Sequence, residues 1–191
     1  MRKWIACLCT LSLLSLPALP ALAEPVVYTG ASGFTLTLPD DWEALIGGEE
    51  EEDDFFDDFE IGDEEALFSS GDGVMSVTVY YADDRPVDSH TEAALLSEPA
   101  LEARKSGVNG YQKIYYRYDE PNRRAFISYS YIDSEEGVAH TEYLVGFITG
   151  SDIAQYLKIT VEADQLETRF SLIGDIVNNI DVGGVREGAE G

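Results

Sequence analysis

From residue 34 to residue 38 the chain reads Phe-Thr-Leu-Thr-Leu, an unbroken apolar–polar alternation with the period of a half-buried strand. Pro39-Asp40-Asp41-Trp42 ends that strand in a turn and returns Trp42 to the core. Two more strands are predicted at 66–70 and 74–81, joined as a hairpin by Gly71-Asp72-Gly73. Ser89-His90-Thr91-Glu92 has the form of a capping box, so a helix is predicted to open there. Pro99 kinks or splits it, and Gly107 closes it. Four strands follow at 111–118, 124–132, 140–149 and 153–162. The turns between them are short, which makes the strands antiparallel neighbours. A last helix is predicted over 164–180, where Leu166, Phe170, Ile173, Val177 and Ile180 step by four and three residues along one apolar stripe. Gly183-Gly184 ends it, and 184–191 reads as a frayed tail. No internal repeat is present.

Three strands, a helix, four strands and a helix imply an α+β domain: an antiparallel sheet of six or seven strands flanked by helices. The run Gly33-Phe34-Thr35-Leu36-Thr37-Leu38-Pro39-Asp40-Asp41-Trp42 resembles the opening of PsbP-like domains, where an alternating strand enters a Pro-x-x-Trp turn. The element order from Phe34 to Ile180 is similar to that family's as well. The resemblance implies an α/β/α sandwich. It also implies a binding or assembly protein rather than an enzyme. Members of the family include an extrinsic subunit of the oxygen-evolving photosystem, factors that assist its assembly and a nuclear-transport factor. They share no catalytic constellation, so the resemblance assigns no site residues. The acidic stretch after Trp42 departs from the family pattern.

The N-terminus adds a compartment. Arg2 and Lys3 precede an apolar run from Trp4 to Leu16, Pro17 and Pro20 break it, and Ala21-Leu22-Ala23 is a small-x-small cleavage signal. Residues 1–23 are therefore expected to be a secretory signal peptide cleaved after Ala23. The apolar run is shorter than the roughly 20 residues that a membrane span needs. Cys7 and Cys9, the two cysteines of the chain, leave with it. The rest reads as one α+β domain over 24–183, large enough to fold on its core without disulfides. A secreted or extracytoplasmic, bacterial setting is expected; no Asn-x-Ser/Thr sequon is present.

Charge narrows the partners. Loss of Arg2 and Lys3 leaves 10 basic against 37 acidic side chains, a charge of −27. Nucleic acid and anionic membrane surfaces both require a basic face and are excluded as partners on this ground. Twelve of the acids fall in the 17 residues 49–65, within an acidic loop expected over 48–65. Like charges so dense repel one another and resist desolvation, so the loop is expected to stay in solvent. Asp53, Asp54, Asp57, Asp58 and Glu60 are its candidate calcium ligands, since calcium takes six to eight oxygens. The spacing is not that of an EF-hand. With Gly62 as its glycine, Phe59, Ile61 and Phe68 fall on three ligand positions. Phe55, Phe56 and Phe59 interrupt the acids, a composition suited to a basic protein partner.

No pattern for catalysis stands out. No cysteine remains after cleavage, Gly30-Ala31-Ser32-Gly33 lacks the Gly-x-Ser-x-Gly of a nucleophile elbow, and no P-loop is present. Gly71-x-Gly73 lies between two strands, where a dinucleotide fingerprint needs a strand and a helix. His90 and His140 share no motif. The tyrosines are more suggestive. Tyr116 and Tyr118 share one strand face, Tyr129 and Tyr131 share one on the next strand, and Tyr115 points away from Tyr116. They either pair across the sheet or form an exposed aromatic ledge for a partner. Three functions remain: a non-enzymatic binding or assembly module of the cell envelope with a protein partner, needing no cofactor; a calcium-responsive protein acting through the acidic loop; and a hydrolase. A pocket holding His140 beside a buried carboxylate would favour the last.

Overall fold

The computed structural model describes residues 24–46, 64–82, 85–88, 90–105, 111–133 and 137–183. The expected signal peptide, most of the acidic loop, Ser89, Gly107 and the 184–191 tail lie outside the described residues. Nine strands and three α-helices form the architecture: β1 (Val26–Thr29), β2 (Thr35–Leu38), β3 (Trp42–Ile46), β4 (Glu64–Ser70), β5 (Met75–Tyr80), α1 (Glu92–Leu95), α2 (Glu98–Glu102), β6 (Gln112–Asp119), β7 (Arg124–Ile132), β8 (Ala139–Ile148), β9 (Ala154–Glu162) and α3 (Leu166–Asn178). Seven strands make one antiparallel sheet in the order β3-β4-β5-β9-β8-β7-β6. This is the α+β sheet that the alternation predicts. The chain's two halves join where β5 pairs with β9, Val77 opposite Ile159.

Two elements differ from the expectation. The alternating 34–38 strand does not belong to the large sheet. As β2 it pairs with β1 in a separate hairpin, Tyr28 opposite Leu36. Trp42 does more than return to the core: it opens β3, the edge strand beside β4, with Trp42 opposite Ser70. β1 is four residues long and β3 starts inside the Pro-x-x-Trp turn, so neither carries enough alternation to be read.

Period-2 alternation divides the large sheet into two packed faces. On one face Phe68, Val77, Val145, Phe147, Leu157 and Ile159 meet the β1–β2 hairpin and α3. Phe34 seals this layer edge-on against Phe147, ring centroids 5.3 Å apart. On the other face Ala125, Ile127, Tyr129, Leu144 and Tyr156 meet Leu96 and Leu101 of the short helices. Gly146 permits that approach: a Cβ there would lie 3.0 Å from Leu96 Cδ2 and 3.3 Å from Leu101 Cδ1.

The helices bear out the sequence reading at Pro99 and correct it in two places. Pro99 does split the first helix, taking the first turn of α2, where its missing N–H costs nothing. The N-cap of α1 is Thr91, which makes no side-chain capping bond, and the turn that leads into the helix is capped by Asp88 rather than by a capping box. Its carboxylate accepts the N–H groups of His90 and Thr91 at 2.9 and 2.8 Å and the Thr91 hydroxyl at 3.0 Å. Glu92 instead pairs with Arg123 at 2.8 Å. α3 spans 166–178 rather than the expected 164–180; its Ile173 and Ile176, and Ile180 just beyond its end, are buried, whereas Phe170 is 64 % exposed, so Phe170 is not a core residue. The buried stripe is rotated because the β1–β2 hairpin covers the Ile176 side, while no described residue covers Phe170. Among the described residues no helix is long and apolar enough to cross a membrane.

Candidate functional site

The rotation of α3 creates the site. The helix packs on β9, β8 and β2, so this face stays uncovered towards β6 and β7. Between the helix and those strands runs a groove of about 260 Å³, lined by Tyr115 and Arg117 from β6, Phe126 from β7, Tyr143 from β8, and Phe170, Gly174 and Val177 from α3. That volume suits one or two side chains rather than a large cofactor. Tyr115 is 46 % exposed and faces Phe170 across the opening. Burial, and then the nearby Tyr115, raise the Tyr143 pKa, so its phenol stays protonated at neutral pH. Gly174 leaves the helix wall flat, with nothing within 4 Å of where a Cβ would stand.

Two guanidinium groups belong to this region. Arg124 reaches the end of α3, donating to the carbonyls of Val177 at 3.2 Å and Ile180 at 3.0 Å, where it satisfies the helix C-terminus. Burial lowers its pKa, and Asp119 directly opposite on β6 works against that. Arg117 lies opposite Phe126, is exposed, and has no carboxylate partner among the described residues. The groove is thus apolar and aromatic with one uncommitted cation in its wall.

β6 gives the groove a second property. It is the outer strand of the sheet, and among the described residues no strand pairs with its free side. Its register on β7 shifts between Lys113 and Tyr115, which leaves Ile114 55 % exposed. Lys113 turns to the opposite face and pairs with Glu98 of α2.

Of the tyrosines singled out in the sequence, Tyr116, Tyr118, Tyr129 and Tyr131 lie on the other face. Tyr129 and Tyr131 are buried beneath the α1–α2 layer, so they form no exposed ledge. Tyr116 and Tyr118 are half-buried, their hydroxyls donating to the Leu96 carbonyl at 2.8 Å and to Glu92 at 3.5 Å. They oppose Ile127 and Ala125, not the other tyrosines, because the tight turn between the strands sets Asp119 opposite Arg124. Burial is the main cause of the raised pKa of both phenols. The predicted opposition of Tyr115 to Tyr116 holds, and it sets Tyr115 in the groove. The sequence reading missed Phe170 and Arg117; strand parity gave only the signal that Tyr115 and Arg117 share a face.

The acidic candidates Asp53, Asp54, Asp57, Asp58 and Glu60 lie outside the described residues. The end of the acidic loop needs correction. Glu64 and Glu65 open β4 rather than remaining in solvent. Glu65 accepts the Tyr28 hydroxyl at 2.6 Å and the Ala31 N–H at 2.7 Å, tying β4 to the hairpin. Burial, then this hydrogen bond, raise the Tyr28 pKa strongly.

The hydrolase test finds a buried carboxylate, Glu142, two residues from His140 on the same face of β8. His140 stacks on Tyr131 at 5.4 Å, and its Nδ1 is buried without the acceptor that orients a general base. Glu142 accepts the Tyr129 hydroxyl instead.

No protein-family model and no curated protein sequence matches the chain. Solved structures do. Cyanobacterial PsbP from Synechocystis sp. PCC 6803 superposes with a TM-score of 0.53 at 11 % identity, covering 89 % of this chain and 99 % of that one. LpqN of Mycobacterium tuberculosis, described as involved in cell envelope biogenesis, superposes with a TM-score of 0.51 at 13 % identity, covering 83 % of this chain and 90 % of that one. At such identities the likeness speaks to the fold, and both neighbours place the seven-stranded sheet with its flanking helices in one class: the chain has a PsbP-like fold.

Proposed function

We propose that this chain is an exported, non-enzymatic binding or assembly module of a bacterial cell envelope, and that the β6–α3 groove receives its protein partner. The observation that carries the reading is Phe170. A phenylalanine 64 % exposed, facing Tyr115 over an apolar groove, has no role in the core. Aromatic side chains with an arginine at hand are the composition of binding hot spots. The role of LpqN in cell envelope biogenesis supports the compartment. The signal-peptide pattern of residues 1–23 supports export.

A photo-reactive amino acid at position 170, expressed in the native organism, tests the reading. A discrete cross-linked species in the envelope fraction is expected, lost when Arg117→Glu is added. The same probe at Lys158, on the opposite face, should give none. Intact mass should place the N-terminus of the exported protein at Glu24. Cross-linking from 158 but not from 170 would move the binding surface to the other face.

A further inference from the structure

The charge of the chain is distributed unevenly over the sheet. Residues 104–124 carry Arg104, Lys105, Lys113, Arg117, Arg123 and Arg124 against Asp119 and Glu120; Lys113 pairs with Glu98, Arg123 with Glu92 and Asp152, and Arg124 with the carbonyls of Val177 and Ile180, so Arg117 is the cation that this stretch presents to the groove. This stretch includes β6, one edge of the sheet. Residues 49–60 carry nine carboxylates and no base, and they join β3 to β4 at the other edge. One edge is therefore complementary to what the other edge carries.

We propose that β6 and its groove bind residues 49–60 of a second copy of this chain, added as an extended strand. The inference rests on the groove being a protein-binding surface. Three observations fit this occupant. Among the described residues no strand pairs with the free side of β6, whose backbone donors and acceptors an extended segment would satisfy. Tyr115 and Arg117 stand two residues apart on one face, and the segment carries an aromatic and an acid at the same spacing, Phe56 and Asp58. Residues i and i+2 of a strand share a face, so in the proposed contact Phe56 would enter the groove beside Phe170 while Asp58 would meet Arg117, which has no carboxylate partner among the described residues. The contact is made in trans because the segment is too short to make it in cis. β4 lies five strand spacings from β6, about 24 Å, and 17 residues out and back reach little further, which leaves no length to lie along β6. The overall like charge of two copies is screened over about 8 Å at physiological salt, whereas Asp58 and Arg117 meet at bonding distance.

Such a contact is head-to-tail, so it propagates. Sedimentation velocity of the purified protein, from micromolar to hundreds of micromolar, tests it. The mass is expected to rise with concentration beyond a dimer. Arg117→Glu, which spoils the groove, and deletion of 49–62, which removes the segment, should each remain at the mass of one chain. Mixed together, one supplies the groove and the other the segment, and they should form a one-to-one dimer that grows no further. Circular dichroism confirms that both are folded; Tyr115→Ala is a second groove variant should Arg117→Glu fail that check. A wild-type protein that stays monomeric throughout, variants that associate as it does, or a mixture without dimer would each overturn the inference. If self-association is absent while position 170 still cross-links to another envelope protein, this inference falls and the binding-module reading stands. Loss of both removes both.

Discussion

The phenol of Tyr129 donates to the carboxylate of Glu142 directly across the β7–β8 ladder, with both residues fully buried. A carboxylate held out of water depends on its donors, because an unmet acceptor there costs more than an ordinary hydrogen bond gains. Tyr129→Phe is therefore expected to lower stability by about 1–3 kcal/mol. Glu142→Gln in the Tyr129→Phe background should recover part of that, since an amide is cheaper to bury than a charge. Urea unfolding of the two single variants and the double variant gives the coupling between them. A Tyr129→Phe cost within the error of the measurement would show that Glu142 does not rely on that phenol.

Two residues of α3 separate core from surface. Ile176 is buried against the β1–β2 hairpin, and Ile176→Ala should cost about 2–5 kcal/mol as a core truncation. Phe170→Ala, although it removes more atoms, should stay within about 0.5 kcal/mol of wild type, as surface changes do. Chemical denaturation of both variants is the check. The reverse order would mean that Phe170 is covered and that the groove is closed.

The reason Phe170 misleads on sequence alone shows what was legible. Alternation located seven of the nine strands and the antiparallel class, because residues that face a core on one side must alternate. It also assigned Tyr115 and Tyr116 to opposite faces. A helix stripe has soft edges, however, and Phe170 stands at the margin of the Ile173–Ile180 face. Which margin is buried depends on where the β1–β2 hairpin lies, and β1 is too short to be read. The same limit hid the groove, which exists because α3 packs towards β9 and leaves β6 uncovered. Glu65 looked like one more solvated acid; only a partner 37 residues earlier, Tyr28, brings it into the structure.

Asp88 supplies a prediction about pH. The Thr91 N–H first, then the Thr91 hydroxyl and the His90 N–H, hold its carboxyl below the usual value of 3.8. A carboxyl whose pKa is depressed by folding adds stability above its unfolded value and loses that contribution as pH falls through the folded one. Asp88→Asn keeps an acceptor and removes the charge, so the difference in stability should be full at neutral pH and shrink steadily below pH 3.8. Thermal melts of both proteins across that range measure it. A difference that does not change with pH would mean that the charge of Asp88 plays no part in capping the turn into α1.

The acidic segment gives the last prediction, and the position of Glu65 sets its boundaries. A deletion that ran through residue 65 would strip Tyr28 and Ala31 of their acceptor, so the cut must end before β4. Deletion of residues 49–62 removes nine carboxylates and leaves Asp63 to join the shortened connection to β4. The melting temperature is expected to hold or rise. Self-repulsion within the screening length of about 8 Å is relieved. Shortening the connection 47–63 to three residues also lowers its closure entropy, by about 0.6 kcal/mol for each halving. Millimolar calcium added to both proteins examines the metal reading of Asp53, Asp54, Asp57, Asp58 and Glu60. A ligand that binds only the folded state raises the melting temperature by mass action. A gain in the intact protein that the deletion lacks would assign calcium to this segment, and equal responses would remove it. A deletion that unfolds the domain would show instead that Phe55, Phe56 or Phe59 belongs to its core.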